Sequence, residues 1–225
     1  MREVITDFNK RVDEINKYFV LLSQIVDDNA ELFFRNENNY KLIDNELHKI
    51  LKANGFLLLY NLIESSIKSS MTTIFDSITQ EQIPYKELRP EFKRAWIEFR
   101  YLNFQNKNPD DVCIELKNMS DLISFSFEQM KIISGNLDSK KIKELAEKYG
   151  FSSITDSSTR DGCELVIVKN KRNALAHGNI SFSECGREYH LNDLLRIKEH
   201  VINYLDNIIK NIEQYLINKE YKERA

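Results

Sequence analysis

Six glycines and three prolines among 225 residues are too few for the many turns of a sandwich, barrel or propeller. The same scarcity leaves no glycine-rich loop of the kind that cradles phosphates in Rossmann or P-loop domains. An all-α architecture is what such a chain can build. The length suits one domain, or one domain with an insertion. A chain of this size buries roughly 70% of its unfolded surface, ample for a core. Hydrophobic residues at 42% and charged residues at 30% mark a soluble globular protein rather than a disordered one.

Lysine and arginine number 32 against 35 aspartates and glutamates, a net charge of −3. That balance excludes a protein that coats nucleic acid non-specifically, but not an enzyme that touches a few phosphates. Cys113, Cys163 and Cys185 are odd in number and form no C-x-x-C, so neither a disulfide framework nor a zinc knuckle is expected. The first residues are charged throughout, without an apolar signal core, and the longest near-apolar run, Gly55 to Tyr60, is too short to span a bilayer. The expected setting is cytoplasmic, with no membrane partner.

Apolar residues at spacings of three and four (Val4, Phe8, Val12, Ile15, Phe19, Leu22, Val26) predict a first helix over about 2–26, broken by Asp27, Asp28 and Asn29. A second helix, about 44–78, is apolar on most of its circumference, which suits the centre of a bundle or a dimer interface. A third, about 90–102, mixes aromatic and basic residues. Bases could stack on Trp96, Phe99, Tyr101 and Phe104, although such aromatics are more often core and such cations a solvated face. Over 110–135 the pattern is least legible: Val112 to Ile123 suits a helix and Phe125 to Ile133 a short strand or an extended segment. Asp138 reads as the cap of a helix stopped by Gly150. After a polar loop, a helix over about 161–177 ends at Gly178. A connector follows, and Asn192 is a candidate cap for a last helix to about Tyr221. The whole reads as a helical bundle of long antiparallel helices in a single domain, 1–225, in which about 104–160 is a candidate inserted subdomain.

The informative segment is VKNKRNALAHGNISF, at the end of the penultimate helix. On an ideal helix Lys169, Asn173 and His177 share one stripe, while Arg172 falls among Leu165, Val168, Leu175 and Ala176. A guanidinium on an apolar face must find an acceptor, a ligand or a partner surface. Read as isolated residues, His177 is a helix-end cap and Arg172 half of an ordinary ion pair. His48, His190 and His200 show no metal spacing and read as surface or helix-end residues, and the cysteines as structural.

The string R-N-A-L-A-H-G, with Arg172, Asn173 and His177, resembles the HEPN signature: an arginine, often followed by a polar residue, then a histidine after four to six positions. YNLIESSIKSS, ISGNLDSKKIKELAEKYG and VINYLDNIIKNIEQYL extend the resemblance to a bacterial, MAE-like HEPN subgroup found beside restriction and toxin–antitoxin loci. It covers most of 44–221, although only the R-N-A-L-A-H core is specific, and the first helix adds little. The resemblance implies a HEPN-type bundle, a homodimer with a composite cleft and a metal-independent endoribonuclease that needs no cofactor. His177 would be the general acid or base, Arg172 the transition-state stabiliser and Asn173 a positioner, with 2′,3′-cyclic phosphate ends as product. The implied partners are RNA and a cognate antitoxin or other partner protein, in a toxin or anti-phage setting.

The chemistry suits those residue types. An imidazole moves protons near neutral pH, and an arginine fork steadies charge developing on a phosphorane. Lys169 and Lys171 would lend the cleft basic charge. Glu64 and Lys68, four apart on the long helix, either face the cleft, as a Glu-x-x-x-Lys pair does in some HEPN proteins, or form a plain intrahelical ion pair. The rival reading is a non-catalytic HEPN module that binds RNA, a nucleotide or a partner HEPN protein, as an antitoxin or regulatory subunit would. A third, a subunit of a nucleotidyltransferase pair, needs a second chain.

Overall fold

A computed structural model describes residues 1–27, 31–104, 107–111 and 136–223. The α-helices described end to end are α1 (Arg2–Val26), α2 (Asn45–Gln80), α3 (Pro90–Phe104), α4 (Ser139–Tyr149), α5 (Cys163–Ala176), α6 (Phe182–Arg187) and α7 (Leu191–Ile217). Strands β1 (Glu31–Phe34) and β2 (Asn39–Leu42) form an antiparallel hairpin between α1 and α2. The architecture is all-α, as expected, apart from this hairpin, which no sequence pattern announced. Cys113, the helix expected over Val112–Ile123 and the extended segment Phe125–Ile133 lie outside the described residues, as does much of the suggested insertion.

Periodicity explains the long elements. Along α7, Leu194, Ile197, Val201, Tyr204, Ile208, Ile212 and Tyr215 recur at helical spacing, and all are buried. In α2 the buried positions, among them Phe56, Leu59, Tyr60, Leu62 and Ile63, cover more than one face, while Asn61, Lys68 and Asp76 stay exposed. This helix is therefore central, packed by α1, α5, α6 and α7. Its start is set by Asp44, whose carboxylate accepts from the Leu47 amide at 2.7 Å. Asp138 likewise caps α4, accepting from the Lys141 amide at 2.9 Å, and Gly150 ends α4 at φ +78°.

Cross-contacts give the helix directions. Tyr18 donates to the Leu51 carbonyl and Arg11 to Asn61, so α1 runs antiparallel to α2. Glu164 meets His200, while Lys171 pairs with Glu188 just before α7, so α5 runs antiparallel to α7. Helix α6 then lies on the first turns of α2. A Cβ on Gly186 would fall 1.8 Å from the Lys49 carbonyl oxygen, so only glycine permits this approach.

Several boundaries differ from expectation. α5 starts at Cys163 rather than near 161, because Arg160 (φ +49°) and Asp161 (φ +57°) are left-handed within a 3-10 turn, Ser157–Gly162. The connector after Gly178 contains α6, begun by a capping box in which Ser181 and Glu184 satisfy each other's amides. The cap of α7 is His190, not Asn192, and α7 ends at Ile217 rather than Tyr221. His200 is no surface residue: it sits mid-helix, partly buried, with Nδ1 2.9 Å from the buried carboxylate of Glu164. On α3, Trp96 packs against the core beside Tyr85, while Lys93 pairs with Glu223 and the neighbouring Arg89 with Glu91. Tyr101 is left exposed, and the side chains of Phe99 and Phe104 lie outside the described residues.

Candidate active site

Helix α5 terminates in a complete Schellman motif. The Asn179 amide donates to the Ala174 carbonyl at 2.8 Å and the Gly178 amide to the Leu175 carbonyl at 3.2 Å, across Gly178 at φ +68°. His177 is the last residue before that reversal, and its own amide is bonded to the Asn173 carbonyl. Its backbone is therefore pinned while its side chain stands exposed. Among the described residues the imidazole has no hydrogen-bond or ion-pair partner.

Arg172 solves its apolar placement by stacking. Its guanidinium carbon lies 3.6 Å from the centre of the Tyr60 ring on α2. That geometry attracts a cation to the ring face and fixes the guanidinium plane. The Tyr60 hydroxyl accepts a hydrogen bond from the Leu137 amide at 3.2 Å, which fixes the ring in turn. Tyr60 was not singled out in the sequence. Its contact with Arg172 spans the chain, and no local pattern could have signalled it.

The stretch Asn136–Asp138 forms a strap across this end of α5. Asn173 donates from Nδ2 to Asn136 Oδ1 at 2.8 Å, and Lys169 Nζ lies 2.6 Å from Asp138 Oδ2. Burial pushes the Asp138 carboxyl up, but the Lys169 ammonium and the Lys141 amide outweigh it and hold the group below the usual aspartate range. Lys171 is engaged as well, paired with Glu188 and 5.5 Å from the centre of the Tyr189 ring. The basic cleft expected around Lys169, Lys171 and Arg172 is thus largely neutralised by neighbouring carboxylates.

Glu64 follows Tyr60 by one turn of α2, and Lys68 by two. Glu64 is half-buried and Lys68 exposed, and the two form no ion pair among the described residues. Lys68 lines a groove between the first turns of α1 and the second half of α2, with Arg2, Asp7 and Asp76, and none of the R-N-A-L-A-H residues lines it.

Another arginine–histidine set stands at the opposite end of α5. The Glu164 carboxylate, almost wholly buried, receives Arg160 at 2.9 Å, His200 at 2.9 Å and the Cys163 thiol at 2.9 Å. Burial raises its pKa, but the Cys163 and His200 hydrogen bonds prevail and hold it low. Burial and the adjacent Glu164 push the Cys163 thiol up, away from the reactive thiolate. This end is a hydrogen-bonded cluster on a buried carboxylate, with Arg160 and Cys163 at its exposed rim.

The fold, with the R-N-A-L-A-H string closing the helix before the last long one, can be set beside known families. The model of the MAE_28990-like HEPN family matches residues 1–221. The chain belongs to the HEPN family. The match starts at residue 1, so α1, which carries no motif of its own, is part of the HEPN unit. No curated protein and no solved structure matches the chain. Among the described residues, no helix of this HEPN protein is long and apolar enough to cross a membrane.

Proposed function

We propose that this HEPN protein is a metal-independent endoribonuclease. The observation that carries the reading is the contrast inside one motif: an exposed, unengaged His177 on a pinned helix end, five residues after an arginine whose plane is set by Tyr60. His177 takes the proton from a ribose 2′-hydroxyl, or gives one to the departing 5′-oxygen. The 2′-oxygen bonds to phosphorus as the bond from phosphorus to the 5′-oxygen breaks. The products are a 2′,3′-cyclic phosphate and a 5′-hydroxyl end. Arg172 stabilises the charge on the phosphorane, and Asn173 positions phosphate or imidazole once Asn136 releases its amide.

Each chain presents one such histidine, whereas the reaction moves two protons. A homodimer with a shared cleft supplies the second imidazole. The role that fits an RNA-cutting HEPN chain is a cytoplasmic toxin or anti-phage effector, held in check by a cognate partner protein. Lys169 supports the site by anchoring the strap.

A second reading has its own observation. The polar groups of Asn173 and Lys169 are already bonded to Asn136 and Asp138. A site so occupied suits a non-catalytic HEPN module that binds RNA, a nucleotide or a partner HEPN protein.

The test is incubation of wild type, His177→Ala and Arg172→Ala with total cellular RNA in excess EDTA, with analysis of fragment ends. Cleavage to cyclic phosphate ends by wild type alone supports the enzyme. RNA binding without cleavage by all folded variants supports the module.

A further inference from the structure

The hairpin is the one described element whose apolar residues are left uncovered. Leu32, Phe33, Phe34, Tyr40 and Leu42 are each between 42% and 64% exposed, and they point to both faces of the ribbon. Phe33 and Tyr40 stack on one face, with ring centres 4.7 Å apart. Val20 and Leu21 near the end of α1 and Leu47 in the first turn of α2 are exposed as well. A lone two-stranded ribbon is marginal in water, and an open apolar edge is a template for another strand.

The sequence of β1 says which strand. Glu31-Leu32-Phe33-Phe34, with Arg35 as the first residue of the turn that follows, is self-complementary when laid antiparallel on itself. Centred on Phe33, such pairing sets Glu31 opposite Arg35 of the second copy at both ends, Leu32 opposite Phe34, and Phe33 opposite itself. Neither Glu31 nor Arg35 forms an ion pair among the described residues, and both are exposed. The β2 edge has no such symmetry, since its single charge, Lys41, has no opposite charge within the strand to meet. The ribbon's charges, Glu31, Arg35, Glu37 and Lys41, balance, which does not favour an anionic lipid surface.

We propose that β1 is a self-docking edge, and that two copies of this chain join their hairpins through it into one four-stranded antiparallel sheet about a two-fold axis. The contact is isologous, so each charge pair occurs twice. The hairpin feeds directly into the first turns of α2, on which α6 lies, and α6 follows the His177 turn. The self-docking edge is thus at the end of the bundle toward which α5 points. It names the surface for the dimer proposed above, but rests on the dimer only and not on ribonuclease activity.

The test is mass in solution by light scattering on a sizing column over a range of concentrations, with folding checked by circular dichroism. Wild type is expected at twice the chain mass of 26.6 kDa. Glu31→Arg and Arg35→Glu each turn both pairs into like-charge contacts and should weaken dimerisation about tenfold or more. The double exchange, Glu31→Arg with Arg35→Glu, restores opposite charges and should restore the dimer. A dimer indifferent to both single reversals overturns the β1 edge while leaving the shared-cleft reading standing. A wild-type monomer at all concentrations overturns both. A monomer that floats with vesicles of neutral or anionic lipid overturns the edge in favour of a membrane face.

Discussion

The two ends of α5 carry the same kinds of residue and use them differently. At its start, Arg160 and His200 converge on one buried carboxylate, Glu164, which also takes the Cys163 thiol. At its end, Arg172 lies on an aromatic ring and His177 faces solvent with no described partner. The buried carboxylate at the first end takes up the donors around it, so that cluster ties α5 to α7. At the second end an aromatic face fixes the plane of the guanidinium. An arginine and a histidine therefore mean little until the group between them is known.

The largest effects should come from exchanging damage between the two ends. His177→Ala should lower RNA cleavage by a hundredfold or more. Because the side chain is exposed and unbonded, unfolding in urea should change by less than about 0.5 kcal/mol. Glu164→Gln should do the reverse, costing about 1–3 kcal/mol of stability as Arg160 and His200 lose a charged acceptor. Cleavage per folded molecule should stay at the wild-type level. A His177→Ala protein that loses stability instead would make His177 a structural residue like its counterpart.

Acid should reach the first end more gently than substitution does. The carboxyls of Glu164 and Asp138 are both held below their ordinary range. Groups depressed in the folded state lend stability that is fully present above the unfolded pKa, about 4, and lost as pH falls through the folded value. Melting temperature should therefore fall steeply below about pH 4, and less steeply in Glu164→Gln. Equal slopes for the two proteins would remove Glu164 from the account.

How much of this was legible follows from which signals are local. The faces of α1 and α7 were, because every third or fourth residue reports the same core. The R-N-A-L-A-H string and its glycine stop were, because a helix end is written in adjacent residues. The hairpin was not: its apolar residues cover no core, so their alternation matches no buried face. Helix α6 is too short for periodicity, although the box formed by Ser181 and Glu184 was present in the sequence to be read. Tyr60, Asn136 and the Glu164–His200 pair arise from contacts between distant segments, which one sequence does not record.

Tyr60 sharpens the account of the second end. Tyr60→Phe keeps the ring beneath Arg172 but deprives the Leu137 amide of its acceptor, at a cost of about 1 kcal/mol. Cleavage should persist. Tyr60→Leu removes the stacking face, and kcat/KM should fall about tenfold if the ring sets the guanidinium plane. Equal rates for the two variants would reduce Tyr60 to a core residue.

The smallest effect should come from Gly178→Ala, the change that best separates a pinned helix end from a loose one. No atom lies within 4 Å of where the new Cβ would be, so packing opposes nothing. The cost is that of φ +68° alone, about 1 kcal/mol. In a chain of this size that corresponds to a fall in melting temperature of about 2–4 °C. Should the Schellman turn yield to relieve the strain, His177 would lose its fixed backbone while every other residue of the motif stays in place. Cleavage would then fall several-fold beyond any loss of folded protein, with RNA affinity unchanged. A variant that loses the expected stability yet cleaves at the wild-type rate would show that His177 needs no fixed position. The rigidity of this helix end would then serve the fold, as the Glu164 cluster does at the other.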